Sequence, residues 1–188
     1  MINDTFANKI IIMIKITRVN TTDETFPFVE ELLQNAFPLQ ERRDSDQQRC
    51  YTDYEPLFHC NVIKDDCGPV GLLNYWDFGE FIYIEHFAIS PTCRNRGYGA
   101  MALETIIQQT AKPLVLEVEE PTDDLSRRRI SFYQRNGFRL EEQTYQQPPY
   151  REGDGWLPMK LMTLGIDNID CRFYKIKRFI YCNVYNVL

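Results

Sequence analysis

The chain has 188 residues, of which 44% are hydrophobic and 26% charged, a composition typical of one globular domain with a well-buried core. Its formal net charge of −6 argues against a nucleic-acid partner, because neutralising a phosphate backbone requires a concentrated basic surface. The same charge is compatible with a cationic ligand such as an amine.

The cysteines and the apolar runs indicate the cellular compartment of the protein. The six cysteines form no C-x-x-C pair and only two histidines accompany them, which argues against a structural zinc site. The apolar run at residues 10–14 is too short for a signal peptide or a membrane span. We therefore expect free thiols, a cytoplasmic location, and no metal or membrane partner.

The first third of the chain predicts one strand and two helices. A strand is expected over residues 10–19. Thr21 and Glu24 have the spacing of a capping box, which predicts a helix that ends before Pro38. A second, weaker helix or an ordered loop is expected over residues 40–54.

The middle of the chain is typical of a β-hairpin followed by a long strand. Two strand-like runs, residues 57–64 and 70–78, are joined by a turn-rich segment at 65–69. The run at residues 81–90 follows. Its alternation predicts that one face carries Phe81, Tyr83, Glu85, Phe87 and Ile89.

The second half alternates helices with strands. Helices are expected over residues 100–110 and 123–136, and Gly137 is suited to a left-handed C-terminal cap. The strands of this half are expected over residues 114–119, 138–147 and 156–163. The element order predicts an α/β (α+β) fold in which helices pack on a mixed sheet.

The most informative segment joins the strand at residues 81–90 to the following helix. In order, it contains Arg94, Asn95, Arg96, Gly97, Tyr98, Gly99 and Ala100. Glycine lets the backbone approach a ligand closely, and the unpaired N–H groups of a first helical turn favour an anion. The segment has neither the GxxxxGK[ST] pattern nor the third glycine of a dinucleotide site. By itself it fits a pyrophosphate-binding loop and a plain turn equally well.

Two motifs resemble one known family. Arg94-x-x-Gly97-x-Gly99 resembles the Q/R-x-x-G-x-G/A motif of the GCN5-related N-acetyltransferase (GNAT) superfamily. Residues 130–138, ISFYQRNGF, resemble that family's I-x-F-Y-x-x-x-G-F segment, and the order of the two motifs also agrees. The resemblance covers residues 10–164.

The resemblance implies the GNAT acyl-CoA N-acyltransferase fold. That fold is a mixed, mostly antiparallel twisted sheet of six to seven strands flanked by about four helices, with a splayed pair of central strands. The predicted organisation is a flexible leader at residues 1–9, a GNAT acetyltransferase domain at 10–164 and a C-terminal tail at 165–188.

The resemblance also implies acetyl-CoA as co-substrate, with its pantetheine lying between the splayed strands. The implied coenzyme-binding residues are Phe87, Ala88, Ile89, Arg94, Asn95, Arg96, Gly97, Tyr98, Gly99, Ala100 and Ser126. Ser126 stands where the family usually has Asn, but a serine hydroxyl can still form a hydrogen bond.

Tyr133 is the implied general acid, because a phenol can protonate a leaving thiolate. The general base should be a carboxylate. Glu85 and Glu119 are the leading candidates. Glu117 and Glu119 share one face of the neighbouring strand and could supplement or replace Glu85. These carboxylates fit equally well as partners of neighbouring arginines. His86 is expected to face away from Glu85 as a buried, hydrogen-bonded histidine.

These implications predict an N-acetyltransferase that moves acetyl from acetyl-CoA to a primary amine by direct attack in a ternary complex. The amine is a small molecule or a peptide, and nearby acidic residues favour a cationic one. Two alternatives stay open. One is a non-catalytic acyl-CoA-binding or regulatory module. The other is an interaction protein that uses the tail at 165–188 to dock onto a second subunit, for example in a homodimer.

Overall fold

The computed structural model describes residues 13–187, which form an open mixed sheet with helices packed on both faces. The predicted leader at residues 1–9 lies outside the described residues, as do positions 10–12 of the first predicted strand. The strands are β1 Lys15–Arg18, β2 Phe58–His59, β3 Asn61–Asp65, β4 Gly68–Asp77, β5 Ile82–Ile89, β6 Leu114–Glu119, β7 Arg139–Leu140, β8 Tyr145–Gln147 and β9 Leu157–Leu164. The helices are α1 Phe26–Ala36, α2 Ser45–Tyr54, α3 Tyr98–Thr110, α4 Asp124–Arg135 and α5 Phe173–Val184.

The strands run in the order β1-β3-β4-β5-β6-β9-β7, while β2 pairs with β4 and β8 pairs with β9. Only the β5–β6 pair is parallel among the described strands, and the other pairs are antiparallel. The mixed, mostly antiparallel sheet is the one predicted from the sequence. The described residues form nine strand segments and five α-helices, a little more than the six to seven strands and about four helices expected.

The central strands β5 and β6 splay apart. They pair for three residues, up to Ile84 opposite Leu116. Beyond that point β5 continues to pair only with β4, as far as Ile89, and β6 only with β9, as far as Glu119. One backbone edge of β5 therefore opens into a wedge between the two strands, and the predicted splay is confirmed.

A β-bulge at Glu85 changes which residues share a face of β5. Ile84 lies opposite Tyr75 and His86 opposite Asn74, so Glu85 is the extra residue of the bulge. An extra residue reverses the alternation beyond it. The prediction of one continuous face is therefore wrong, because Phe87 packs on the face opposite Glu85. The expected opposition of Glu85 and His86 is wrong for the same reason.

Each face of the sheet carries its own core. The first core packs α1 and α5 against the sheet and includes Val29, Leu33, Trp76, Tyr83 and Ile180. The second core packs α3 and α4 against the other face and includes Leu103, Ile106, Leu116, Ile130 and Phe138. The sheet is thus held between two apolar layers, and the wedge between β5 and β6 lies between them.

The C-terminal segment packs into the first core. Phe173, Ile176, Ile180 and Val184 recur at helical spacing on α5, and all four are buried. The domain boundary predicted at residue 164 stays a prediction, but core packing crosses it. The basic residues on the outer side of α5 made this segment look like a separate tail in the sequence.

The entry of α1 differs from its prediction. The helix begins at Phe26, and the side chain of its N-cap residue, Thr25, makes no capping hydrogen bond. Thr21 instead donates through its hydroxyl to Asp53 Oδ2 at 2.5 Å, which ties the loop before α1 to α2. The predicted capping box at Thr21 is therefore wrong, because a long-range partner takes its hydroxyl.

Candidate active site

A cleft of about 630 Å³ occupies the wedge between β5 and β6. Its size is that of a small-molecule pocket. At its loop end it is lined by Phe87, Ala88, Ile89, Arg94, Asn95, Gly97, Tyr98, Gly99, Ala100 and Phe132. At its carboxylate end it is lined by Glu41, Tyr83, Glu85, Glu117, Tyr150 and Tyr185. All predicted coenzyme-binding residues except Arg96 and Ser126 line this cleft.

The glycine loop, residues 94–99, depends on its two glycines for different reasons. Gly97 is the N-cap of α3 with φ of +84°, in the left-handed region where other residues are strained. Gly99 lies against α4, and a Cβ there would come within 3.1 Å of Phe132 Cζ. The N–H groups of the first α3 turn have no intrahelical partners and lie beside the cleft, so this loop can bind an anion.

A hydrogen bond anchors the glycine loop to the β3–β4 hairpin. The Tyr98 ring is buried, and its hydroxyl donates to Asp65. Asp65 also accepts from the backbone N–H groups of Cys67 at 2.8 Å and Gly68 at 3.1 Å. The Tyr98 hydroxyl is the main cause of the lowered pKa of Asp65. Arg96 lies with its guanidinium over the Tyr98 ring, 5.3 Å from the ring centroid.

Ser126 is the N3 residue of the capping box that begins helix α4, and Asp123 is the N-cap. Its backbone N–H donates to Asp123 Oδ1 at 2.8 Å, and its hydroxyl accepts from the backbone N–H of Asp123 at 3.2 Å. The residue is 2% exposed. The hydroxyl is therefore engaged locally, and its predicted contact with the coenzyme stays a prediction.

Tyr133 lies in the last turns of α4, with its side chain at the cleft. Its ring packs against Phe132 and Phe138, and the residue is 8% exposed. Burial raises the pKa of Tyr133 to about 12, and the nearby charge of Arg129 opposes that rise. The phenol is therefore protonated at neutral pH and can donate a proton.

Glu85 is a carboxylate whose oxygens are fully occupied. Arg43 binds it in a bidentate ion pair, at 2.7 Å to Oε1 and 3.0 Å to Oε2, and both side chains are completely buried. Trp76 Nε1 donates at 2.8 Å and the Tyr150 hydroxyl at 2.7 Å. Burial would raise the pKa of Glu85, but Arg43 and the hydrogen bonds bring it below its usual value.

Arg43 itself is enclosed by aromatic rings. Its guanidinium carbon lies 4.7 to 5.4 Å from the ring centroids of Tyr51, Phe58, Trp76 and Tyr150. Cation–π attraction of this kind strengthens when water is excluded. The pair of Arg43 and Glu85 therefore forms a rigid wall behind the carboxylate end of the cleft.

Glu117, on β6, has a different environment. Tyr145 donates a hydrogen bond to Oε1, and the Tyr185 hydroxyl donates to Oε2 at 2.7 Å. No cation of the described residues forms an ion pair with it. Burial raises the pKa of Glu117 to about 7, although the phenols lower it. A group with this pKa can accept and release a proton near neutral pH.

Glu119 lies two residues further along β6, and its environment is more exposed. It forms an ion pair with Arg129 at 2.5 Å, and both side chains are 38% exposed. Glu119 is not among the residues lining the cleft, whereas Arg129 is. The alternative in which a candidate carboxylate pairs with a neighbouring arginine is thus the arrangement seen at Glu119.

Two residues of the carboxylate end have no distinctive signal in the sequence. Arg43 is one member of a charged run, and Tyr185 lies in the predicted tail. The signal for Glu117 was a glutamate inside an otherwise apolar strand, Leu114–Glu119. Its two tyrosine donors, Tyr145 and Tyr185, come from distant parts of the chain, so no spacing in the sequence could reveal them.

Within residues 13–187, no cluster of three or more His, Cys, Asp or Glu side chains is arranged to hold a metal ion. None of the helices described there has the length and apolar character needed to cross a membrane.

Comparisons with known proteins agree with this geometry. The family model described as Acetyltransferase (GNAT) family matches residues 26–138. The solved structure of a putative GNAT-family acetyltransferase from Bacteroides thetaiotaomicron is similar at 44% identity and a TM-score of 0.89, covering 93% of this chain and 99% of that one. The putative acetyltransferase YjbC of Bacillus subtilis (strain 168) is 27% identical over 112 residues, which are 58% of this chain. The matched region spans only 55% of YjbC.

A more distant structure shares the fold alone. Spermidine N-acetyltransferase from Vibrio cholerae, solved with CoA and spermine, has 14% identity and a TM-score of 0.59, covering 80% of this chain and 94% of that one. Because the family model matches more than half of the chain, the family and fold predicted from the sequence are confirmed: the chain belongs to the GNAT acetyltransferase family.

Proposed function

We propose that this protein is an N-acetyltransferase that transfers the acetyl group of acetyl-CoA to a primary amine by direct attack in a ternary complex. The observation that carries the proposal is one cleft that joins an anion-binding loop to a buried carboxylate with a pKa of about 7. A protonated phenol, Tyr133, lines the same cleft. These are the three groups that acyl transfer from a thioester to an amine requires.

The loop end of the cleft suits coenzyme A. The pyrophosphate oxygens would accept hydrogen bonds from the backbone N–H groups of the first α3 turn, and the positive charge of Arg94 lies beside that turn. The pantetheine carries amide groups, which can pair with the backbone edge of β5 at Phe87 and at the N–H of Ile89, whose carbonyl accepts from Arg94 Nε at 3.2 Å. This pairing uses the backbone N–H and C=O groups of β5, so the identity of the side chains there has little effect on coenzyme binding.

The base is best assigned to Glu117. Glu85 accepts four hydrogen bonds and has a lowered pKa, so it stays deprotonated at neutral pH and is a poor proton acceptor. Glu119 is held in an ion pair outside the cleft lining. Glu117 lines the cleft, and burial raises its pKa to about 7, close to the pH at which a general base has to act.

In the proposed reaction, Glu117 takes a proton from the bound ammonium, directly or through water. The freed nitrogen attacks the thioester carbonyl carbon, so that a C–N bond forms and the C–S bond then breaks. Tyr133, which is protonated at neutral pH, gives its proton to the leaving thiolate. The second proton that the nitrogen loses restores the Tyr133 hydroxyl, and Glu117 releases its own proton to solvent. The products are the acetylated amine, the free thiol of coenzyme A and one proton released to solvent.

The charges at the carboxylate end favour a cationic acceptor. Glu41 and Glu117 both line this end, and burial raises the pKa of each. An ammonium ion would stabilise both carboxylates in their charged form. Polyamines, amino sugars and peptide lysines all carry such a group, so the acceptor class is tested with a panel that includes each of them.

The proposal is tested in two steps. Acetyl-CoA at a hundred times its dissociation constant should raise the free energy of unfolding by about 2.7 kcal/mol, which a thermal-shift measurement detects. Release of the coenzyme thiol is then followed with each amine of the panel. Stabilisation by acetyl-CoA with no thiol release for any amine would favour a non-catalytic acyl-CoA-binding module. No stabilisation at saturating acetyl-CoA would overturn the proposal itself.

A further inference from the structure

The C-terminal end of α5 reaches the carboxylate end of the cleft. The helix ends at Val184, and Tyr185 follows it, 6% exposed and lining the cleft. The Tyr185 hydroxyl donates to Glu117 Oε2 at 2.7 Å and lies 3.3 Å from the Tyr83 hydroxyl. A residue from the predicted tail therefore contacts the carboxylate that we assign as base.

Tyr185 is held in this position from two sides. Its ring packs against Tyr150, with 4.8 Å between the ring centroids. Arg43, which is buried in its ion pair with Glu85, directs Nη2 toward the backbone carbonyl of Val184 at 3.4 Å. The apolar side of α5 anchors the remainder of the segment in the first core. The hydroxyl is thus fixed relative to the sheet.

Glu117 receives one phenol on each oxygen. Tyr145, from β8, donates to Oε1, and Tyr185 donates to Oε2. A carboxylate has about four lone-pair sites, so two donors fix its orientation and leave capacity for a substrate proton. Removing either phenol should loosen the carboxylate without removing its charge.

We propose that Tyr185 is a positioning residue for Glu117. The C-terminal segment, residues 166–187, then contributes to catalysis through this one side chain. The inference rests on the proposed function, because it takes Glu117 as the base. It goes beyond that function by assigning a catalytic contribution to a segment that lies after the residues matched by the family model.

The sign of the expected effect follows from the groups that face Glu117. The facing titratable groups are Tyr83 and Glu85 from β5, Tyr145 from β8, Tyr150 from the loop after β8, and Tyr181 and Tyr185 from the C-terminal segment. The hydroxyl of Tyr185 stabilises the Glu117 anion. Its removal should raise the pKa of Glu117 above about 7, by about one pH unit for one lost hydrogen bond to a charged group.

The direct test is a titration that needs no turnover. The chain is labelled with ¹³C at the glutamate carboxyl carbons, and the Glu117 signal is assigned by its loss in Glu117→Gln. We expect the titration midpoint of that signal to move upward by about one pH unit in Tyr185→Phe. The matched control is Tyr174→Phe, since Tyr174 lies on α5, the helix that Tyr185 follows, and is 82% exposed. An unmoved midpoint in a folded Tyr185→Phe protein would overturn the positioning role.

The kinetic arm separates this inference from the proposed function. In Tyr185→Phe, the acidic limb of the pH profile of kcat should move upward with the titration midpoint, while the KM for acetyl-CoA stays unchanged. A moved midpoint with an unmoved kinetic limb would show that Glu117 is not the base that Tyr185 positions. Absence of turnover in the wild type, with the midpoint still moving, would instead count against the acetyltransferase proposal. If Tyr185→Phe does not fold, Tyr185→Met removes the same hydroxyl and is held to the same shift.

Discussion

The two ends of the cleft differ in whether backbone groups or side chains form them. The loop end consists mainly of backbone: the left-handed Gly97, the first turn of α3 and the open edge of β5. The carboxylate end consists of side chains, with Glu85 and Glu117 held by one arginine and several phenols. The comparison shows why a donor site can be encoded in a short motif, whereas an acceptor site requires the assembled fold.

The two carboxylates of that second end also differ from each other. Glu85 has a permanent cation as partner and a lowered pKa, while Glu117 has phenols as partners and a pKa of about 7. The first suits a structural charge and the second a proton acceptor. Two glutamates on adjacent strands thus have separate roles because of what surrounds each of them.

The largest expected effect concerns Glu117. Glu117→Gln keeps the shape of the side chain but removes the base, and its single amide oxygen can accept from only one of the two phenols. We expect kcat to fall by about 10² to 10⁴-fold with an unchanged KM for acetyl-CoA. In the wild type, kcat/KM should fall as the pH drops below about 7, because the carboxylate becomes protonated. Steady-state kinetics across pH measures both effects.

The matched control for that substitution is Glu120→Gln, an exposed glutamate just after β6. It should leave the pH profile and kcat unchanged. If Glu117→Gln retains the acidic limb of the wild-type profile, the base is another group, and the contrast between the two carboxylates loses its functional meaning.

The second effect concerns stability. Arg43→Met leaves the buried Glu85 without its cation, and breaking a buried ion pair in this way costs about 3 to 5 kcal/mol. Urea unfolding followed by circular dichroism should show a markedly lower midpoint. Arg49→Met, which removes the more exposed pair with Glu30, should leave the midpoint nearly unchanged. Equal effects of the two variants would mean that the wall behind Glu85 is not rigid.

The sequence was informative where structure is local. The glycine loop, the helix that follows it and the succession of helices and strands along the chain could be predicted, because turn chemistry and hydrophobic period are properties of neighbouring residues. The bulge at Glu85 could not, since it depends on the register between β4 and β5. That single extra residue reversed the expected faces of Phe87 and His86.

The carboxylate end could not be predicted either, because it too depends on contacts between distant parts of the chain. Glu117 accepts from Tyr145 and Tyr185, and the Tyr83 hydroxyl lies beside that of Tyr185. The fold brings the three tyrosines together from β8, the end of α5 and β5. Tyrosine is common in apolar cores, so none of the three is distinctive in the sequence. Nothing in the sequence distinguishes Glu117 from Glu85 and Glu119 as the base, because burial cannot be judged before the strands are paired.

A third effect, on the backbone-built end, is smaller. Gly97→Ala adds a methyl group that meets no atom within 4 Å, but it strains a residue with φ of +84° by about 1 to 2 kcal/mol. Because the free loop can relax, binding must restore the strained form, and we expect about tenfold weaker binding of coenzyme A by calorimetry. Gly155→Ala, also without a close neighbour, is the control. Unchanged affinity in Gly97→Ala would mean that the loop conformation is not needed for binding.

The smallest expected effect concerns the anchor of the same loop. Tyr98→Phe removes the hydrogen bond to Asp65 while keeping the buried ring, so the loop keeps its packing but loses its tie to the β3–β4 hairpin. We expect the dissociation constant of coenzyme A to rise about threefold to tenfold, with the KM for the amine unchanged. Tyr54→Phe, at an 80% exposed position, is the control. A change in the amine KM instead would show that the two ends of the cleft are coupled, and the division between backbone and side-chain function would have to be given up.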